Sequence, residues 1–178
     1  MTKTLSIEDV KNKIRAVKDF PKEGIIFRDI TTGLRDAETL KFMVDYLCDQ
    51  YKDIKVDYIA GIESRGFIFG MPIAYKMNCG FIPVRKPNKL PAETIKEDYD
   101  LEYGSNTIEI HADSFEKGAN VLVVDDLLAT GGTAKAACNL VRKAGGNLVG
   151  AAFLIELCDL KGIDKLNDCG KIVSMLKY

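Results

Sequence analysis

Apolar positions along the chain recur with two different periods, and together they predict alternating helices and strands. Steps of three and four residues predict helices over Leu5–Val17, with Ser6 as its N-cap, and over Leu40–Tyr51. Unbroken apolar runs predict strands, and helices are predicted between them: strands 56–62, 81–84, 120–124 and 148–155, helices 67–77 and 133–144. Apolar strands that alternate with helices are typical of a parallel sheet covered on both faces. The pattern therefore predicts an α/β fold with a central, mostly parallel sheet flanked by helices.

Two segments depart from this alternation. Residues 25–30 (IIFRDI) are β-prone, and a turn is predicted after them at Thr31–Gly33. A polar insertion runs from Arg85 to about Lys117, and it is predicted to begin as a long loop over Arg85–Tyr99. An antiparallel hairpin should follow, with 101–103 paired to 107–110. Loops of this length inside compact domains tend to be functional lids or disordered segments. No linker interrupts the chain, so residues 1–178 are predicted to form one domain.

Charge and composition exclude several classes of function. Lys and Arg number 25 against 26 Asp and Glu, so no overall field would attract a nucleic acid or an anionic membrane. The single histidine, His111, cannot form a two-histidine metal site. Five cysteines without a C-x-x-C pair argue against a disulfide framework or a zinc site. No apolar window reaches a membrane span of ~18 residues. We expect a cytoplasmic protein without nucleic-acid or membrane partners.

The segment VLVVDDLLATGGT, residues 121–133, carries the clearest chemical signal. Two aspartates, Asp125 and Asp126, are predicted where a buried strand ends, and ligands of open α/β sheets bind beyond the carboxyl ends of strands. The loop predicted over 125–132 then leads into a helix, and its small residues let backbone N–H groups surround a phosphate. These residues are Ala129, Thr130, Gly131, Gly132 and Thr133. The alternative is a sharp turn followed by an N-cap. Two carboxylates beside a phosphate suit a ligand that also presents hydroxyls or a metal ion.

This segment resembles the motif with which the type I phosphoribosyltransferases bind phosphoribosyl pyrophosphate (PRPP). Further stretches are similar, in order and spacing, to the adenine-specific members of that family: DFPKEGIIFRDIT (19–31), GIESRGFIFG (61–70), PVRKPNKLP (83–91), DLEYGSNTIEIHAD (100–113) and VLVVDDLLATGGTAKAA (121–137). The resemblance extends from Asp19 to about Leu157. It implies the type I phosphoribosyltransferase fold, with an N-terminal base-recognition hood over about 1–34 and a catalytic loop and hairpin over about 85–112.

The resemblance also implies an activity: Mg²⁺-dependent transfer of ribose 5-phosphate from PRPP to adenine, giving AMP and pyrophosphate in purine salvage, by a homodimer. The acidic pair would lie along the ribose, reaching Mg²⁺ at most through water, since the substrate itself holds the ion. Roles carry over by position. Pyrophosphate would be bound by Glu63, Ser64, Arg65, Arg85, Lys86 and Lys89, and adenine by Ile26, Phe27, Arg28 and Leu127. Glu102 would transfer the proton, and Tyr103 would close over the site. A cis peptide is common in the family's pyrophosphate loop.

Two other functions remain open at this point. The first is a phosphoribosyltransferase for hypoxanthine, guanine or xanthine, although those members generally lack this FRDI and LEYG pairing. The second is a PRPP-sensing regulator that has lost catalysis. Such a regulator is expected to carry a basic DNA-binding segment, and residues 1–18 are too short and too mixed in charge for one.

Overall fold

The structure is a computed structural model that describes residues 5–100 and 105–178. Helices and strands alternate along most of the chain. Their bounds are α1 Ile7–Lys13, β1 Arg15–Lys18, β2 Ile26–Asp29, α2 Thr31–Leu34, α3 Ala37–Gln50, β3 Tyr58–Ile62, α4 Gly66–Met77, β4 Gly80–Val84, β5 Thr94–Asp100, β6 Ser105–His111, β7 Asn120–Leu128, α5 Gly132–Lys143, β8 Asn147–Glu156 and β9 Lys171–Lys177. Two short 3₁₀ helices, Cys158–Leu160 and Gly162–Leu166, lie between β8 and β9. Within the described ranges, no helix is both long enough and apolar enough to cross a membrane.

The N-terminal unit, residues 1–46, differs from its prediction at two points. Ser6 does cap α1, since its Oγ accepts a hydrogen bond from the Asp9 amide while the Asp9 carboxylate accepts one from the Ser6 amide. The helix ends at Lys13 rather than at residue 17, because the next residues pair with β2 as strand β1. The predicted turn after β2 is the short helix α2.

The second unit, residues 47–178, is built on a five-stranded parallel sheet of order β4-β3-β7-β8-β9. This confirms the predicted fold class. Strand β9 lies at one edge, where no strand was predicted. Tyr51 is fully buried, and its hydroxyl lies 2.9 Å from the carbonyl oxygen of Ala151 on β8 and 2.8 Å from that of Lys171 on β9. The hydroxyl therefore ties the edge strand to its neighbour.

The ring of Phe81 occupies the space between strand β3 and helix α4. A Cβ atom added to Gly61 on the strand would lie 2.6 Å from the Phe81 Cε2 atom, and one added to Gly70 on the helix would lie 2.7 Å from the same atom. Two residues without side chains thus allow the helix to pack closely on the strand.

The hairpin of the polar insertion is longer than predicted, and its first strand lies earlier in the chain. Strand β5, Thr94–Asp100, includes residues 94–99 that were expected to be loop, and it pairs with Ser105–His111. The predicted strand 101–103 lies outside the described residues. The error has a physical cause. Ile95 and Tyr99 pack against the core, and Glu97 lies between them on the same face of the strand. Because this inward position is charged, the sequence does not show the alternation of apolar and polar residues that is typical of a strand.

Candidate active site

The acidic pair lies within a strand and not in the loop that follows it. Strand β7 continues to Leu128, because its pairing with β8 extends as far as Glu156. The loop predicted over residues 125–132 is therefore shorter. Asp125 and Asp126 are consecutive residues of this strand, and both line the cavity described below. Asp125 is half-buried, whereas Asp126 is only 3% exposed.

Arg65 connects the loop after β3 to the acidic pair. Its Nε atom lies 3.0 Å from Oδ2 of Asp126, and the Asp126 amide donates a hydrogen bond to the Asp125 carboxylate. Burial raises the pKa of Asp125 well above its usual range, and the charge of Asp126 raises it further. Burial also raises the pKa of Asp126, while Arg65 counteracts part of that shift. The pair therefore holds a proton more tightly than two isolated aspartates would.

The small-residue loop joins β7 to the N-terminus of α5. Gly131 precedes the helix with a φ of +78°, a left-handed conformation that glycine adopts readily, and no side chain caps the helix. The amide groups of the first turn are therefore available to an anion. A cavity of about 200 Å³ is lined by Arg65 and residues 125–134. The structure thus brings together the predicted sugar and phosphate residues, Arg65 and Leu127.

A residue that sequence reasoning missed supports this loop. The Cα atom of Gly162 packs against it so closely that a Cβ there would lie 2.1 Å from the carbonyl oxygen of Ala129. Conversely, a Cβ on Gly131 would lie 2.4 Å from the carbonyl oxygen of Gly162. Gly162 stands about thirty positions beyond the loop in a segment with no recognisable motif, so no local signal could have identified it.

Helix α5 is also tied to the hairpin of the insertion, which sequence reasoning did not anticipate. The Asn139 side-chain amide donates to the Glu97 carboxylate at 3.2 Å, and the Lys143 ammonium donates to the carbonyl of Lys96 at 2.6 Å. The helix that begins at the phosphate loop therefore also anchors strand β5. Glu102 and Tyr103, the predicted catalytic residues, follow β5 and lie outside the described residues.

Three of the remaining predicted pyrophosphate residues, Glu63, Arg85 and Lys86, form a second cluster at the ends of β3 and β4. The peptide bond between Glu63 and Ser64 is cis, as the resemblance implies. The Glu63 carboxylate accepts hydrogen bonds from Arg85 Nε at 2.8 Å and from the Lys86 amide at 3.0 Å. The hydrogen bond from Arg85 lowers the pKa of Glu63. Ser64, Lys86 and Lys89 are exposed.

The predicted base-recognition residues lie in the N-terminal unit. Ile26, Phe27 and Arg28 belong to strand β2, which pairs in antiparallel register with β1. The ring of Phe27 packs edge-on against that of Phe20, with centroids 5.3 Å apart. The side chain of Ile26 is 48% exposed.

Comparison with known proteins identifies the family. The family described as phosphoribosyl transferase domain matches residues 38–176. An adenine phosphoribosyltransferase of Clostridium botulinum is 56% identical over 170 residues, which are 96% of this chain and 98% of the relative.

Solved structures agree with this result. The crystal structure of the adenine phosphoribosyltransferase of Thermoanaerobacter pseudethanolicus has a TM-score of 0.94 and 47% identity, covering 97% of this chain and 100% of that one. The Saccharomyces cerevisiae enzyme, crystallised with adenine and an iminoaltritol bisphosphate, has a TM-score of 0.89 and 40% identity, with coverages of 96% and 98%. The chain belongs to the phosphoribosyltransferase family, among its adenine phosphoribosyltransferases.

Proposed function

We propose that the protein transfers the 5-phosphoribosyl group of PRPP to adenine, giving AMP and pyrophosphate. The observation that carries the proposal is the cavity beside residues 125–134, where phosphate donors, hydroxyl acceptors and one arginine line a single space. These are the groups that a phosphorylated sugar with a pyrophosphate substituent requires. The relatives, which are named for adenine, indicate the acceptor base.

The cavity would hold the sugar phosphate in a fixed orientation. Amide groups of the loop and of the first turn of α5 bind the 5-phosphate, assisted by the hydroxyls of Thr130 and Thr133. The carboxylates of Asp125 and Asp126 accept hydrogen bonds from the ribose hydroxyls. In the reaction the bond between the anomeric carbon and pyrophosphate breaks, and a bond to a ring nitrogen of adenine forms. Holding both partners in line supplies much of the acceleration.

Cationic side chains would stabilise the departing pyrophosphate. Arg65 reaches the cavity from the end of β3, and Arg85, Lys86 and Lys89 lie at or just beyond the end of β4. Negative charge accumulates on the leaving group as its bond to the sugar breaks, so fixed positive charges favour the transition state. The exposed Lys86 and Lys89 are free of packing constraints that would prevent them from approaching the phosphates.

Magnesium fits this site as an ion that arrives with the substrate. Among the residues described, no three side chains of His, Cys, Asp or Glu are grouped so that they could hold a metal ion. Asp125 and Asp126 provide oxygen donors, the kind Mg²⁺ prefers, but Asp126 is already paired with Arg65. These two residues would therefore contact the ion through water, while PRPP supplies its other ligands. When bound, Mg²⁺ neutralises charge on the pyrophosphate.

Adenine would be recognised chiefly by the backbone of β2. Ile26 and Arg28 are two residues apart, so their main-chain groups point to the same side of the strand, where a C=O and an N–H can match the amine and ring nitrogen of the base. Phe27, between them on the same strand, is the third residue of β2 that we propose for adenine binding. Glu102 transfers the proton that the ring nitrogen loses, and Tyr103 closes over the reactants.

We also propose a cytoplasmic homodimer, and one surface supports it. Ile68, Met71 and Tyr75 are 41%, 52% and 89% exposed and follow one another at helical spacing along α4. A second copy of the chain would cover this apolar stripe, which begins three residues after Arg65. All five cysteines are free thiols, as a reducing compartment requires. Light scattering should give twice the mass of one chain.

The decisive experiment offers the purified protein Mg²⁺, PRPP and one purine at a time. Adenine should yield AMP and pyrophosphate, separated by liquid chromatography, while hypoxanthine, guanine and xanthine should yield little nucleotide. Comparable rates with another purine would overturn the base assignment. PRPP binding without product from any base would favour the regulatory alternative.

A further inference from the structure

The carboxylate of Glu63 lies at the end of β3, where the sheet turns towards the polar insertion. The Glu63 amide donates to the carbonyl of Val84 at 2.9 Å, so the pairing of β3 with β4 continues one residue beyond the strands. This pairing brings Glu63 beside Arg85. One carboxylate oxygen, Oε2, then accepts both the Arg85 Nε hydrogen bond at 2.8 Å and the Lys86 amide hydrogen bond at 3.0 Å.

These contacts do not suit a direct pyrophosphate ligand. An ionised carboxylate only accepts hydrogen bonds, as phosphate oxygens do, so the two groups repel each other unless a cation lies between them. The Glu63 carboxylate already accepts hydrogen bonds from two donors of the insertion, and its side chain is only 17% exposed. We therefore assign its role to these contacts within the protein, and not to a contact with the ligand.

Arg85 is held from three directions. Its amide donates to the carbonyl of Glu109 at 2.9 Å, and the Glu109 amide donates to the Arg85 carbonyl at 2.8 Å, which fixes the backbone against β6. The guanidinium carbon lies 5.8 Å from the ring centroid of Phe67. Glu63 provides the third contact, and it is the one that orients the guanidinium within its plane.

We propose that Glu63 is a positioning residue that aims the Arg85 guanidinium and fixes the main chain at Lys86, and that it does not bind pyrophosphate itself. This inference rests on the proposed function of the site. Because Glu63 engages Nε, the two terminal nitrogens of Arg85 remain directed away from it and can bind two phosphate oxygens together. Glu63 also accepts the Lys86 amide, so the main chain is fixed on both sides of the peptide that joins Arg85 to Lys86, at Arg85 by Glu109 and at Lys86 by Glu63.

A double-mutant cycle tests the proposal. Glu63→Ala and Arg85→Ala, alone and combined, are compared by their kcat, their KM for PRPP and for adenine, and their affinity for Mg²⁺-pyrophosphate by calorimetry. Each single variant should lose about 10- to 100-fold in kcat/KM for PRPP and in pyrophosphate affinity, as expected for a lost hydrogen bond to a charged group. The KM for adenine should hardly change. The combined variant should lose less than the product of the two single losses, because the part of the Glu63 effect that passes through Arg85 is already lost in Arg85→Ala.

Two conservative variants separate positioning from direct binding. Glu63→Gln keeps an oxygen acceptor and should recover most of the loss seen in Glu63→Ala. Arg85→Lys keeps the charge but lacks Nε, so it should lose as much kcat/KM for PRPP as is expected for Glu63→Ala. It therefore tests the Nε contact even if Glu63→Ala does not fold. Glu116→Ala removes a carboxylate that accepts the Tyr58 hydroxyl, before β7 begins, and serves as the unchanged control.

Additive losses in the cycle would overturn the proposal, as would a changed Mg²⁺ requirement in Glu63→Gln. The calorimetric cycle does not depend on the base. Absence of turnover with adenine, together with a non-additive pyrophosphate cycle, would refute the proposed function and leave the role of Glu63 intact. Turnover with adenine and an additive cycle would refute only the role of Glu63.

Discussion

The guanidinium Nε of Arg65 lies 3.0 Å from the Asp126 carboxylate, so the loop after β3 is in direct contact with the acidic pair on β7. Asp126 is almost fully buried, whereas Arg65 is 39% exposed. The arginine thus neutralises the aspartate on one side and offers its remaining donors to the cavity on the other. This contact places the proposed pyrophosphate and ribose sites next to each other, as the covalent link between those two groups in PRPP demands.

Replacing Arg65 by Gln should impair binding and folding together. Asp126 would be left as a buried charge without its partner, which is strongly destabilising, although the exposure of Arg65 moderates the cost. We expect kcat/KM for PRPP to fall by at least ~10²-fold, the scale of one lost transition-state donor, and the melting temperature to fall by a few degrees. Steady-state kinetics and thermal unfolding measure both effects.

Arg142→Gln is the matched control for that variant. It also removes an arginine from an ion pair, but its partner Asp168 has a side chain that is 61% exposed. Surface pairs contribute little, so its activity and melting temperature should stay close to those of the unmodified protein. Equal losses in the two variants would show that Arg65 has no special role.

Asp125→Asn should stabilise the empty protein while reducing its activity. The pKa of Asp125 is raised in the folded state, so the folded protein binds the proton more tightly than the unfolded chain does. Stability then decreases as the pH rises above the unfolded value of about 3.9, up to the folded pKa. Asparagine cannot ionise, so the stability of the Asp125→Asn variant does not decrease in this way. Its melting temperature should match that of the unmodified protein near pH 4 and exceed it by a few degrees at pH 7.

The activity of this variant should fall because an amide offers one acceptor fewer to the ribose hydroxyls. Thermal unfolding at several pH values, with turnover measured at pH 7, tests both statements. A difference in melting temperature that does not change between pH 4 and pH 7 would contradict the assigned pKa shift.

Alanine at Gly131 or at Gly162 should reduce the affinity for PRPP more than it reduces the stability of the protein against unfolding. Each added Cβ would meet backbone of the other segment, at 2.4 Å and 2.1 Å from a carbonyl oxygen, and the phosphate loop would have to move. We expect at least a tenfold increase in the KM for PRPP, corresponding to about 1.4 kcal/mol. Gly118→Ala provides the control, since Gly118 has a similar φ of +82° but an added Cβ would meet nothing within 4 Å.

Glu102→Gln should leave a slow but measurable enzyme. General acid–base catalysis by a carboxylate contributes about 10²- to 10⁴-fold, so kcat should fall within that range while the KM for PRPP changes little. Glu38→Gln, an exposed substitution of the same kind in the first turn of α3, should have no effect. Full turnover in Glu102→Gln would remove that residue from the proposed mechanism.

The elements that could be predicted are those whose signal is local. The buried strands and the loop before α5 are encoded by consecutive residues, so their approximate positions followed from the sequence. The far end of β7 did not, because Asp125 and Asp126 remain in the strand only through pairing with β8. The same holds for β1, which exists because β2 lies beside it, and for β5, whose inward Glu97 is satisfied by Asn139 on a distant helix.

The site shows the same division. Arg65 and the phosphate loop were found from short motifs, and the structure places them around one cavity. The support from Gly162 and the link between Glu63 and Arg85 depend on contacts between segments that are separate in sequence. Composition and periodicity carry no information about such contacts.

The packing of Phe81 between Gly61 and Gly70 has a consequence for how this protein can vary. Neither glycine can acquire a side chain while the aromatic ring occupies the shared space, and the ring cannot be lost without leaving a void beside two residues that have nothing to fill it. The three positions should therefore change together over evolutionary time. A smaller residue at 81 would be accompanied by alanine or serine at 61 or 70, and a single exchange at any one of them would be selected against.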